Sequence, residues 1–149
     1  MENENKIKPP ELMHWESEYS VGVKEIDAQH LELMKKINDL ISHSINSLDE
    51  GVRYFEETMN AVIEDTAIHF KTEEKLLLKT DYEVFADHKK EHDELMGKVE
   101  SIKKELKKIK AETDLRNLTI SFREWFLSHI LLYDKEARDS FKAASGEGN

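Results

Sequence analysis

The chain has no cysteine in its 149 residues. It can therefore hold no disulfide, no thiolate-bound zinc and no iron–sulfur cluster. Proline occurs only as Pro9 and Pro10, and there are five glycines. Between Val23 and Phe141 only Gly51 and Gly97 weaken a helix, so an all-α fold is expected. No apolar run is long enough to cross a bilayer, and MENENKIKPP lacks the apolar segment of a secretion signal. The expectations are no membrane partner and a cytoplasmic location. Basic residues number 22 against 32 acidic ones, and the net charge of −10 argues against nucleic acid as a partner. The lysine-rich run Lys103–Lys110 reads as the wet face of a helix whose inner face is Ile102, Leu106 and Ile109.

What is present is helical periodicity. A charged fraction of 36% beside a hydrophobic fraction of 38% suits amphipathic helices. Four segments carry apolar seams at 3-4 spacing. The first is Ile26, His30, Leu33, Ile37, Leu40. The second is Phe55, Met59, Val62, Thr66, His69, Glu73, Leu76. The third is Phe85, His88, His92, Leu95, Val99, Ile102, Leu106, Ile109. The fourth is Leu115, Leu118, Phe122, Trp125, His129, Leu132. Short polar connections (SLDEG, KTDY, KAETD) predict an antiparallel up-down-up-down four-helix bundle. Residues 1–22 form an N-terminal arm anchored by Trp15, Tyr19 and Val21, 23–141 the bundle, and 142–149 a polar tail.

Each seam carries histidine where an apolar residue is due. One buried histidine can be satisfied by a backbone carbonyl. Five, spread over four helices and joined by Glu73 one turn from His69, would leave several kcal/mol of uncompensated polar burial, about what a small bundle can lose altogether. Shared metal ligation removes that cost. Nitrogen and oxygen donors alone leave iron, manganese and zinc open. Five imidazoles exceed the needs of one structural zinc, and inward Glu and His ligands are a recurrent home for two irons. His14, in the arm, and His43, off the seam, are expected to be surface residues.

A lone histidine, then HxxxE, HxxxH and HxxxxD, one group per helix, is the pattern of the hemerythrin family. This sequence resembles its bacterial single-domain members through His30 in VGVKEIDAQH, His69 and Glu73 in HFKTEE, His88 and His92 in HKKEH, and His129 and Asp134 in HILLYD. The resemblance implies two iron ions, cycling between ferrous and ferric, with a bridging oxo or hydroxo group. His88, His92 and His129 would hold one iron, His30 and His69 the other, and Glu73 and Asp134 would bridge them. With two six-coordinate irons that ligand set leaves one position open, on the two-histidine iron.

One offset resists a regular helix. Asp134 lies five residues after His129, about 140° round an α-helix, so it must reach across or sit where the helix deforms. Glu74 has the same offset from His69 and rivals Glu73 for the bridging role. Glu73 is preferred because it lies on the seam and because the family places its glutamate there, and Glu74 is expected to matter little.

The activity implied is reversible binding of dioxygen, as carrier or store, without net catalysis, in a dry pocket walled by Leu33, Phe70, Trp125 and Ile130. The alternatives are an O₂ sensor acting through a separate signalling or redox partner, and a diiron enzyme acting on O₂, peroxide or nitric oxide.

Overall fold

Among residues 11–45 and 47–146, which the computed structural model describes, there are helices and no strands. Four long helices account for most of them: α1 Lys24–His43, α2 Leu48–Lys79, α3 Phe85–Leu106 and α4 Glu112–Ser128. A π-helical turn, His129–Asp134, continues α4 and leads to α5, Arg138–Ser145. α1 packs on α2 and α4, while α2 also packs on α3 and α5. Short turns join the successive long helices, which run antiparallel as a bundle.

The ends of the helices follow from local chemistry. Asp27 in the first turn of α1 accepts from Val21 N at 2.9 Å and from Ser20 Oγ at 2.5 Å, which draws the arm onto the helix start. Gly22 between them has φ 77°, a conformation open mainly to glycine. Ser47 caps α2 by accepting from Glu50 N, with Asp49 and Glu50 favourably placed in the first turn. The arm is held further along by Asn38, whose amide exchanges two 2.8 Å hydrogen bonds with the backbone of Met13. Trp15 and Tyr19 pack on the main core and Val21 is fully buried, so the expected anchors are in place.

The seams of α1 and α2 are buried at every expected position. The third is buried from His88 to Leu106, but Ile109 lies past the helix end in the turn and is half-buried. The fourth is rotated from expectation. Its buried face is Leu115, Arg116, Thr119, Phe122 and Phe126, whereas Leu118 and Trp125 are half-buried and Leu132 is 64% exposed. Two seams share Leu115, Phe122 and His129, and buried polar residues occupy the true one. Thr119 satisfies its hydroxyl by donating to Arg116 O at 2.7 Å and so tolerates the core. The expected polar tail overlaps a short helix. α5 runs through Ser145 and ends at Gly146, φ 77°, while residues 147–149 of the expected tail, and 1–10 of the arm, lie outside the described residues.

The apolar core is divided. The larger cluster includes Leu33, Ile37, Phe55, Phe70, Val99, Phe122 and Ile130. The smaller comprises Val21, Val23, Ile26, Leu76, Leu77, Ala137 and Phe141. On α1, His30 falls between Ile26 of one cluster and Leu33 of the other, and on α2 Glu73 falls between Phe70 and Leu76. A polar layer thus lies across the bundle between two apolar ones.

Candidate metal centre

That layer consists of His30 from α1, His69 and Glu73 from α2, His88 and His92 from α3, and His129 and Asp134 from the π-helical turn. All seven are at most 2% exposed. Their donor atoms form two overlapping groups, each compact enough for one ion: Glu73, His88, His92, His129 and Asp134, and His30, His69, Glu73 and Asp134. The carboxylates belong to both.

The division runs atom by atom. Glu73 Oε1 lies 2.9 Å from His92 Nε2, 3.5 Å from His88 Nε2 and 3.6 Å from His129 Nε2. Its other oxygen, Oε2, lies 3.0 Å from His69 Nε2 and 3.3 Å from His30 Nε2. Asp134 repeats this with Oδ1 at 3.0 Å from His129 and 3.2 Å from His88, and Oδ2 at 2.9 Å from His30. Each carboxylate spans a three-histidine group and a two-histidine group.

The π-helical turn resolves the five-residue offset. Closing the backbone over five residues instead of four brings His129 and Asp134 onto one face, where a regular α-helix would spread them. Ile130, Leu131, Leu132 and Tyr133 fill the widened turn, and only Ile130 among them is buried.

The layer's hydrogen bonding is incomplete without a further group. Nε2 of His30, His69, His88 and His129, Oε2 of Glu73 and both oxygens of Asp134 are buried with no hydrogen-bond partner. Such orphans each cost on the order of 1–3 kcal/mol. Charge redistribution offsets part of this. Burial lowers the pKa of His30, His88 and His129, but the carboxylates of Asp134 and Glu73 close beside them outweigh it and hold them at about 9, 9 and 10. For His69 burial dominates and the pKa falls. Burial raises the carboxyl groups, and the surrounding imidazoles more than reverse this, so Glu73 and Asp134 stay well below the usual carboxylate range. Inward-facing imidazole nitrogens and carboxylate oxygens, buried and unpartnered, are the donor set that iron or a similar cation requires.

A match on the family level accompanies this geometry: the hemerythrin HHE cation binding domain describes residues 21–137. The chain belongs to the hemerythrin family. It is 32% identical over 126 residues to a bacteriohemerythrin of Methylococcus capsulatus, which covers 83% of this chain and 92% of that one. It is 27% identical over 121 residues to a myohemerythrin of Theromyzon tessulatum, covering 81% of this chain and 87% of that one. A crystal structure of wild-type hemerythrin aligns with a TM-score of 0.72 at 29% identity, over 88% of this chain and 98% of that one. The hemerythrin cluster here is a non-haem, iron-binding set of His, Glu and Asp.

The surroundings differ on the cluster's two sides. A small apolar cavity of about 20 Å³ adjoins His30, His69 and His129 and is walled by Leu33, Ile37, Phe70, Leu95, Val99, Phe122 and Phe126. Thr66 also lines it, but its hydroxyl donates to Val62 O at 2.7 Å. Over His88, by contrast, lies a solvent-open hollow of about 330 Å³ rimmed by Asp87, Glu91, Glu94 and Glu136. Leu33 and Phe70 line the apolar cavity. Trp125 and Ile130 do not: the rotated face of α4 presents Phe122 and Phe126 instead. Phe126 stands edge-on to His30, 6.2 Å between ring centres.

The outer contacts of two residues were not legible in the sequence. Glu74 is no idle surface acid: its Oε2 accepts from His92 Nδ1 at 2.7 Å. Gln29 accepts through Oε1 from His69 Nδ1 at 2.8 Å. The remaining histidines stay apart from the cluster. His14 is exposed, and His43 stacks on Tyr54 with its Nδ1 on Asp39 O.

Among the described residues no helix is long and apolar enough to cross a membrane.

Proposed function

We propose that the chain binds dioxygen reversibly, as carrier or store, at two irons held by His30, His69, Glu73, His88, His92, His129 and Asp134. The observation that carries this reading is the position of the small apolar cavity, which touches both histidines of the two-histidine group and, of the other three, only His129. When bound, the irons supply the electrons and the open coordination position that dioxygen needs.

The chain's own residues do the rest. His88, His92 and His129 would hold one iron and His30 and His69 the other, so the two-histidine side would have one protein donor fewer. Glu73 and Asp134 balance the charge of two cations in a water-poor layer, where a lost carboxylate charge is expensive. The cavity volume is about that of one water molecule, and water needs two to four polar partners to settle there. Aliphatic and phenyl walls offer none, and Thr66 has committed its proton to its own helix. A small apolar diatomic has no such requirement. Keeping water and anions away protects the bound gas from displacement and the metal from irreversible oxidation. Five imidazoles against two carboxylates make this a donor set suited to holding dioxygen rather than splitting it.

The test is to load the protein with ferrous iron without air, count the metal, then admit and remove O₂ through several cycles while recording the visible spectrum. Two irons per chain and a spectrum that returns on each cycle are expected. One metal per chain removes the two-iron reading. Irreversible bleaching with consumption of a co-substrate replaces the carrier with an enzyme.

A further inference from the structure

We propose that Thr72 and Gln29 form a polarity relay that fixes the proton of His69 on Nδ1, and that its neutral end makes the two metal positions electronically unequal. This rests on the two-metal reading for its second half only.

The relay starts from a group with no choice. The Ile68 carbonyl can only accept, and Thr72 Oγ1 lies 3.0 Å from it, so the hydroxyl spends its one proton there. Towards Gln29, 3.1 Å away, the Thr72 oxygen is left only as an acceptor. The NH₂ end of the Gln29 amide must therefore face Thr72, which turns Oε1 towards His69 Nδ1 at 2.8 Å. An amide oxygen cannot donate, so Nδ1 carries the hydrogen. That leaves Nε2, the atom 3.0 Å from Glu73 Oε2 inside the layer, as the ring nitrogen offered to a metal. Both amide orientation and imidazole tautomer, ordinarily ambiguous, follow from one backbone carbonyl adjacent to the histidine itself.

The comparison with His92 supplies the second half. Its Nδ1 faces a carboxylate, Glu74 Oε2, at 2.7 Å. Both outer partners fix the same tautomer, but one is neutral and the other charged. A charged acceptor draws the Nδ1 proton and makes the ring a stronger electron donor, which favours the higher oxidation state of the metal. The amide of Gln29 does this much less. The metal position served by His69 therefore keeps its lower oxidation state more firmly than the one served by His92, and it is the position that meets the dry cavity. Gln29 and Thr72 are positioning residues: neither reaches the layer, and both act through His69.

The test has a metal-free arm and a metal-loaded arm. In metal-free protein at neutral pH, long-range proton–nitrogen NMR reads which ring nitrogen is protonated. The parent should show His69 protonated on Nδ1 alone. Thr72→Val keeps shape and removes the hydroxyl, and should give a mixture of tautomers; Thr72→Ser should restore the parent pattern. A parent protonated on Nε2, or a Thr72→Val spectrum indistinguishable from the parent, overturns the relay.

In iron-loaded protein, Gln29→Glu should lower the midpoint potential and Gln29→Leu should speed iron loss to a chelator by about 10–100-fold. A potential unmoved by Gln29→Glu overturns the electronic half. Metal content is measured on every sample. A parent that never holds two irons defeats the function reading, while the NMR result still decides the relay.

Discussion

Nδ1 of His92 lies 2.7 Å from Glu74 Oε2, while Nε2 of the same ring lies 2.9 Å from Glu73 Oε1. Adjacent glutamates on α2 thus hold opposite ends of one imidazole, one from outside the layer and one from within. They should fail differently. Glu73→Gln removes a fully buried charge and should abolish stable iron loading. Glu74→Gln keeps an acceptor oxygen but loses the charge, so iron should load normally and escape to a chelator faster, by up to about 10-fold. Iron per chain and release rate, measured on both variants, separate the roles; equal losses of iron content would return Glu74 to the bridging role.

Which parts of the site the sequence revealed depends on what each residue touches. The five histidines and Glu73 stood out because they interrupt apolar seams, a signal carried along one helix. Asp134 had no such signal. Its five-residue offset conflicts with an α-helix, and only the family pattern placed it before the π-helical turn was seen. The roles of Gln29 and Glu74 were hidden for another reason. They are half-buried polar residues beside ligands, and their partners lie on other helices, 40 and 18 residues away in sequence. On α4 the apolar residues Trp125 and Leu132 drew the seam to the wrong face, because Thr119 and Arg116 are polar yet buried. Periodicity counts apolar side chains, and a buried polar residue such as Thr119, which bonds within its own helix, defeats the count.

The π-helical turn makes a prediction about length. Leu132 is 64% exposed, and removing it would return His129 and Asp134 to four-residue spacing. In an α-helix that is about 40° apart, close to one face. The deletion should therefore keep both irons and leave α5 in register. Inserting an alanine after Leu132 should cost iron, because six residues set the pair about 120° apart from eclipse. Circular dichroism confirms that both variants remain helical, and metal analysis decides. Iron lost from the deletion variant would mean that the wide turn itself is needed.

Removing the metal should expose the layer's charges. In metal-free protein His30, His88 and His129 titrate at about 9, 9 and 10, above the ordinary 6.5. Raised histidines stabilise the fold fully below pH 6.5, and that stability is lost as pH climbs through 9 to 10. The lowered carboxyls of Glu73 and Asp134 act the other way, contributing above their ordinary 4.5 and 3.8 and fading on acidification. The metal-free melting temperature should therefore drop steeply between pH 7 and about 10. Iron-loaded protein should lack this alkaline loss, since its imidazoles are bound as neutral ligands and have no proton to lose. Parallel melting curves of the two forms over this range check it, and matching alkaline slopes would count against charged histidines in the empty layer.

The last prediction concerns dryness. Leu33 walls the cavity and is 4% exposed, whereas Trp125 is half-buried outside it, with Lys98 Nζ 5.5 Å from its ring centre. Leu33→Asn gives water an amide partner beside His30, at a stability cost of about 1–3 kcal/mol, which a folded bundle survives. Iron content should stay normal, while the oxygenated form should decay about tenfold faster, the effect of roughly 1.4 kcal/mol in barrier. Added azide should also bind faster. Leu33→Met, which keeps volume and apolarity, should decay nearly as the parent does, and so should Trp125→Leu. Decay in air at fixed pH is the measurement. If Leu33→Asn and Leu33→Met decay alike with full iron, polarity at this wall is irrelevant. If Trp125→Leu matches the asparagine variant, the dry region extends to the outer face of α4, beyond the walls named here.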